Sequence, residues 1–233
     1  NIDGLTTDGS NRGGVDIDDG AKVTMDNATI EQDDSIVYEN NNDTESTGSL
    51  TVNDGQYENV VVQSGAGETL GGTVSLTGGE FNGVVNKIGN TGTGTNEIGD
   101  VVTITGGKYT NTTGSTEGGV TYVEINTTNG TLDTGCQLDN GTVVPAEGSV
   151  AAIGSKGYTT LKGALDAADS GTNKTVTLLQ STTLSSDIPS GVTLQVPGEP
   201  AGITLTVDRT NLGTLVTSAG TIRVEAGGAI TVD

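Results

Sequence analysis

Hard oxygen ligands are the first chemistry this sequence offers. Asp16-Ile-Asp-Asp-Gly20 gathers three carboxylates around a glycine turn, with Asp33-Asp34 a short way on. Carboxylates clustered at a tight turn are what Ca²⁺ takes, so Asp16, Asp18 and Asp19 are the candidate metal ligands. Calcium is the one cofactor for which the chain offers a place; otherwise no cofactor is expected. The spacing departs from the D-x-[DN]-x-[DN]-G loop, lacks its distal Glu, and no G-G-x-G-x-D array follows. Solvated acids on coil corners are the simpler account of the cluster and the preferred one.

Other reactive groups are few. The chain has no histidine, which removes the commonest general base and metal ligand and with it the usual Ser-His-Asp or Cys-His nucleophile. Cys136, in Thr134-Gly-Cys-Gln137, is the single cysteine, so no intramolecular disulfide forms. It reads as a small reduced residue without a role, the alternative being an exposed thiol that pairs between molecules. Arg12, Arg209 and Arg223 lie far apart in sequence, outside any motif. A Lys–Asn or Lys–Asp isopeptide is conceivable, but nothing selects a pair. Asn-x-Ser/Thr sequons at Asn27, Asn42, Asn111, Asn126, Asn129, Asn140 and Asn173 follow from the richness in Asn and Thr and matter only in a eukaryotic secretory setting. Catalysis is not expected.

Charge and composition bound the partners. Thirty acids against nine bases give a net charge of −21, which argues against nucleic acid and anionic membrane surfaces, since both require basic patches. No stretch approaches the ~20 apolar residues of a membrane span. Low hydropathy with high charge raises the disordered reading, but the apolar residues fall in alternating β-branched runs that disordered chains lack. An acidic, Thr/Asn/Gly-rich, nearly Cys-free chain suits a secreted bacterial protein.

The elements that must carry these residues repeat. Thr73-Val-Ser-Leu-Thr-Gly-Gly-Glu-Phe-Asn-Gly83 recurs as Val102-Thr-Ile-Thr-Gly-Gly-Lys-Tyr109, more loosely as Leu50-Thr-Val-Asn-Asp-Gly-Gln-Tyr57, and more loosely still as Val23-Thr-Met-Asp-Asn-Ala-Thr-Ile30. A period in the twenties marks a solenoid whose repeat is one coil. Alternation of apolar and hydroxyl residues makes each a half-buried strand, and the glycines turn the chain at the corner. Stacked at ~4.8 Å, the coils predict three ladders: Val23, Leu50, Val74, Val102; Met25, Val52, Leu76, Ile104; and Ile30, Tyr57, Phe81, Tyr109. Inserts at Asn40–Thr47, Gly65–Gly72, Gly89–Asp100 and Asn111–Gly118 read as corner loops. Val15–Ile17 and Val120–Ile125 read as strands. Asn129-Gly130 and Asn140-Gly141 flank a segment expected to be hairpin decoration, not another coil.

The text changes near Pro145, predicting a first block over 1–145 and a second over 146–233. Val150–Tyr158 leads into one helix, about 159–170, with Leu161, Ala164, Leu165 and Ala168 as its apolar stripe, a threonine cap at Thr159 or Thr160 and a stop at Gly171. Strands are expected at 175–179, 192–196, 203–207, 221–224 and 230–232.

The run Gly157-Tyr-Thr-Thr-Leu-Lys-Gly-Ala-Leu-Asp-Ala-Ala-Asp-Ser-Gly171, followed by Lys174-Thr-Val-Thr-Leu-Leu179, resembles the entry to right-handed parallel β-helix domains of the pectate-lyase-like superfamily. The Gly-Gly-Glu-Phe and Gly-Gly-Lys-Tyr coils look like those of large repetitive surface proteins of Gram-positive bacteria. The resemblance implies an all-β, right-handed parallel β-helix with one short α-helix capping the end of a coil stack between two blocks. Enzymes on that fold that cleave acidic polysaccharides use Arg or Lys beside acid-bound calcium, and its glycosidases use carboxylate pairs; no such motif accompanies the likeness here.

The function expected is therefore structural: a non-catalytic subunit of a head-to-tail bacterial surface filament, or a stalk or adhesin segment, located outside the cell. Gly227-Gly-Ala-Ile-Thr-Val-Asp233 reads as a strand without a cap, which makes Ile230 and Val232 the assembly residues and another copy the expected partner. A carbohydrate-binding or carbohydrate-active β-helix is the alternative, with host or cell-surface glycans as ligand. A calcium-stabilised spacer is the third reading.

Overall fold

In a computed structural model the chain is a β-solenoid of about 6 turns, mostly strands, with one α-helix among the described residues. The structure describes residues 2–3, 15–17, 20–39, 48–64, 71–88, 98–198, 202–207, 221–224 and 229–232. The fold divides into two compact units, 1–134 with 138–143, and 135–137 with 144–233.

In the first unit the strands are β1 (Ile2–Asp3), β2 (Val15–Ile17), β3 (Lys22–Asp26), β4 (Ala28–Glu39), β5 (Ser49–Val52), β6 (Gly55–Ser64), β7 (Thr73–Leu76), β8 (Glu80–Ile88), β9 (Val102–Ile104), β10 (Lys108–Tyr109), β11 (Thr116–Glu117) and β12 (Val120–Thr121). A hairpin of β13 (Cys136–Asp139) and β14 (Thr142–Pro145) carries the chain from one unit's residues to the other's. Odd strands β1 to β9 stack in one sheet, and β2, β4, β6, β8 and β10 in a second. Each coil thus gives one strand to each sheet, all paired in parallel.

The register holds the three expected ladders. Val23, Leu50, Val74 and Val102 pair in sequence, as do Met25, Val52, Leu76 and Ile104. Ile30, Tyr57, Phe81 and Tyr109 form the third. All but Val23 are buried. The three rings stack, 5.2 Å apart for Tyr57–Phe81 and 5.0 Å for Phe81–Tyr109, a geometry that adds to the area they bury. Burial of a phenol requires a partner for its hydroxyl, and the corner supplies one. Tyr57 Oη donates to the Asp54 carbonyl at 2.6 Å and Tyr109 Oη to the Gly106 carbonyl at 3.1 Å, each three residues back. The corner itself is glycine for two reasons: Gly107 has φ 96°, and a Cβ on Gly106 would lie 1.9 Å from the Thr77 carbonyl of the coil below.

Two expectations give way here. The segment after Asn129-Gly130 is not decoration: Ile104 N–H donates to the Thr131 carbonyl and Asp133 N–H to the Ile104 carbonyl, so buried Leu132 takes the next place in the second ladder. A loop packed by Asn126, whose Oδ1 accepts from the Thr128 and Asn129 N–H groups, lets this rung close within few residues. Asn140-Gly141, by contrast, is the hairpin turn expected, with φ 47° and 79°. Val120–Ile125 is also not one strand. Only β12 pairs, antiparallel with β11 across Gly118-Gly119; beyond it Tyr122 bridges Val85 of β8 and Glu124 bridges Thr113.

The second unit holds β15 (Ala151–Ile153), β16 (Lys156–Tyr158), α1 (Leu161–Ser170), β17 (Thr175–Leu178), β18 (Thr182–Leu184), β19 (Thr193–Val196), β20 (Thr204–Val207), β21 (Thr221–Val224) and β22 (Ala229–Val232). Two parallel stacks, β17-β19-β21 and β18-β20-β22, form its coils. Thr160 caps α1, its hydroxyl accepting from Gly163 N–H at 3.1 Å. Leu161, Ala164, Leu165 and Ala168 are buried in one cluster with Val176, Leu178, Leu194 and Leu205. The helix lies against β15, β16 and β17, at the end of the stack where the first coil begins. Val150–Tyr158, expected only as a lead-in, is itself a hairpin turning at Gly154 and pairing antiparallel with β17.

Candidate functional site

In the first unit β4, β6 and β8 run longer than β3, β5 and β7, the strands of the other sheet. Val60, Val61 and Val62 are all buried, so this stretch of β6 is covered on both faces. Val60 and Val62 belong to the inner row, with Ile36, Tyr38 and Val84. Val61 and Val85 point the other way, and Tyr122 packs on both to make a separate small cluster, with Val37 and Val120 beside it. The arm that carries Tyr122 is sewn to β8 by two backbone bonds, Asn111 N–H to Asn82 O at 2.7 Å and Val123 N–H to Val84 O at 2.8 Å. Gly83 permits the ring to settle there, since a Cβ would stand 2.5 Å from Tyr122 Cδ1.

A crevice of about 570 Å³ opens beside the arm, lined by Ser35, Glu58, Asn59, Asn82, Glu117 and Tyr122 among others. A second of about 310 Å³ adjoins it through Ser35, Asn59 and Val120 and is walled by Val61 and Val85. Along the outer corner, Glu58, Asn82 and Thr110 occupy matching positions in successive coils and border a shallower groove of about 340 Å³. Asn82 Nδ2 donates to Glu58 Oε1. Asn59 is 8% exposed, and its Oδ1 has no hydrogen-bond partner among the described residues. Burial pushes the Tyr122 hydroxyl's pKa above its ordinary value, and the nearby Glu58 and Glu117 carboxylates push the same way. The phenol therefore stays protonated. The chemistry available is that of acceptor oxygens with a few amide donors.

No family model, curated protein or solved structure matches this chain. The site has to be judged on its own geometry.

The residues singled out from sequence lie elsewhere. Asp16 sits in β2 opposite Val37, while Asp18 and Asp19 fall outside the described residues. Asp33-Asp34 lie in β4 at the register shift between Ile30 and Ser35. Among the described residues, no group of three or more His, Cys, Asp and Glu is placed to hold a metal ion. Arg12 and Arg209 are outside the described residues, and Arg223 pairs with Gln195 in β21. Cys136 is buried, its Sγ 3.5 Å from the Ser155 carbonyl, so the exposed-thiol alternative falls. Ile230 and Val232 hold the register positions opposite Leu205 and Val207.

Glu58, Asn59, Glu117 and Tyr122 went unnoticed in the sequence. One signal was present: three consecutive valines after Asn59 break strict alternation, and a strand apolar on both faces needs a cover on each. The cover's identity, an aromatic sixty residues on, has no local signature.

Proposed function

We propose that the chain is a non-catalytic structural segment of an extracellular bacterial surface protein, built to be extended coil upon coil. The observation that supports this best is the edge formed by β21 and β22. Among the described residues each holds the last place in its sheet, behind an unbroken parallel register. A row of unpaired N–H and C=O groups on such an edge is a template for another strand. The next coil comes either from more of the same polypeptide, as in a stalk, or from a second copy. A copy added head to tail makes a heterologous, non-closing contact and so a fibre. The net charge of −21 favours that geometry, because like-charged flanks repel while ends pair. Kinship with right-handed, pectate-lyase-like β-helices and with repetitive Gram-positive surface proteins belongs to the same proposal. It leans on α1, which lies where the parallel coils of the second unit begin.

Electron microscopy and light scattering over a concentration series test the filament form. Thin unbranched fibres that vanish in the Ile230→Lys/Val232→Lys variant, with strand content unchanged by circular dichroism, support it. A clean monomer at high concentration refutes self-assembly and leaves the stalk.

A carbohydrate-binding or carbohydrate-active role is the second reading, favoured by the row Glu58, Asn82, Thr110. A carboxylate, an amide and a hydroxyl follow one another there, one to each successive coil, at ~4.8 Å steps, suited to the hydroxyls of a neutral chain. Titration with neutral oligosaccharides and an assay for new reducing ends separate the possibilities. Saturable binding without cleavage establishes a binding face, and new reducing ends overturn the non-catalytic reading.

A further inference from the structure

The paired crevices beside the Tyr122 arm are separate from the strand edge on which the structural reading rests. We propose that they form a docking site for an arginine side chain of a basic partner segment, its guanidinium held between Glu58 and Glu117 and its stem laid along Val120, Val61 and Val85.

The lining is selective in charge. The larger crevice carries two carboxylates, Glu58 and Glu117, and its other polar side chains are hydroxyls and amides, from Ser35, Asn59, Asn82, Thr110, Asn111 and Tyr122. Among the described residues no lysine or arginine lines it. Lys87 lines the smaller, valine-walled crevice, and along β8 it stands five residues beyond Asn82, the partner of Glu58. Glu58 is held in place through Oε1 by Asn82 Nδ2, so its orientation is set before any guest arrives.

Asn59 supplies an independent reason to expect a donor. It is nine-tenths buried, it lines both crevices, and its Oδ1 lacks a partner among the described residues. A buried acceptor left unpaired is costly, and native structures seldom leave one without a ligand, water or ion to explain it. What the Asn59 oxygen requires is an N–H or O–H donor, and the residue lines both crevices.

Size and surface narrow the guest. Crevices of about 570 and 310 Å³ are far larger than one ion, and no metal-holding group of acids is present among the described residues. A guanidinium offers five donors in a planar fork that carboxylates take in bidentate fashion, while its aliphatic stem packs on apolar walls. The −21 charge of the chain draws basic segments toward this surface.

The test is a titration of the full ¹⁵N-labelled chain with the peptide acetyl-Gly-Arg-Gly-amide, followed by amide shifts. Its citrulline counterpart, equal in shape but neutral, is the control. Saturable shifts confined to residues around Ser35, Glu58, Asn59, Glu117 and Tyr122 are expected, with binding at least about tenfold weaker for citrulline. Glu58→Gln keeps the acceptor for Asn82 and so leaves the fold intact; it and Glu117→Gln should each weaken binding about tenfold, while Asp187→Asn, in the other unit, should not. Equal affinity for citrulline, shifts spread over the acidic surface, or an equal loss with Asp187→Asn would overturn the proposal. So would saturation of the same amides by millimolar CaCl₂ alone with Arg peptide excluded, which would make the crevice an ion site.

Discussion

At the scale of single residues, the account rests on which side chains point into the coil. Leu76 and Ile104 are fully buried while Thr77 is not. Leu76→Ala or Ile104→Ala should therefore cost about 2–4 kcal/mol, transfer and cavity combined, and Thr77→Val or Thr105→Val well under ~1 kcal/mol, read by urea denaturation. Equal costs would contradict the register. The aromatic column offers a finer test. Tyr57 and Tyr109 each donate to a carbonyl three residues back, and Phe81 stands between them without a hydroxyl. Phe81→Tyr should gain up to about 1 kcal/mol from the analogous bond to Gly78; a loss would mean that the middle corner has no room. The same phenols set an alkaline limit. Burial, with Asp54 and Asp26 adding to it, pushes Tyr57 up to about 12 against a backbone bond from Ala28, and burial raises Tyr109 well above its ordinary value. A raised folded pKa gives stability that is complete below the unfolded value near 10 and lost as pH rises through the folded one. Stability should hold to about pH 10 and fall between there and 12 and above, with phenolate absorbance appearing together with unfolding. Phenolate absorbance for these two rings at pH 10 in folded protein would contradict this.

At the scale of elements, periodicity carried most of what was readable. Alternation and the recurring corner were enough to predict three ladders and their register, because a coil can bury its apolar residues in only one way against a copy of itself. The helix was equally legible, since its stripe at i, i+3, i+4, i+7 and its threonine cap are local signals. What escaped was non-local. Leu132 occupies a coil position without the repeat's text, because the Asn126 loop replaces a strand-turn with side-chain bonds. β15 and β16 are too short and glycine-bound to show alternation. The crevice depends on Tyr122 finding Val61 and Val85, a contact between segments unrelated in sequence. That contact is testable: Tyr122→Ala should cost about 2–4 kcal/mol and speed amide exchange at 111–125 while leaving β5 and β7 protected. Gly106→Ala should be worse tolerated than its chemistry suggests, about 1–3 kcal/mol, because the added methyl meets the Thr77 carbonyl of the coil below. Neutral behaviour would show the corners less tightly stacked than described.

At the scale of the molecule, the described coils are repetitive, the chain is acidic, and β21 and β22 stand last in their sheets among the described residues. Calcium at Asp16, Asp18 and Asp19 would make stability sensitive to chelator. An unchanged melting temperature in chelator, with Asp18→Asn equally indifferent, would return those acids to solvated surface. The central claim is the proposal that further coils are added on these two strands. Residue-resolved hydrogen exchange on the 233-residue chain, from dilute to concentrated solution, addresses it directly. The account predicts that the outward amides of β21 and β22 exchange freely when dilute, become protected as concentration rises and fibres appear, and stay unprotected in the Ile230→Lys/Val232→Lys variant. Free exchange at those amides at every concentration, in a chain that stays monomeric with its inner ladders protected, would contradict extension by further copies.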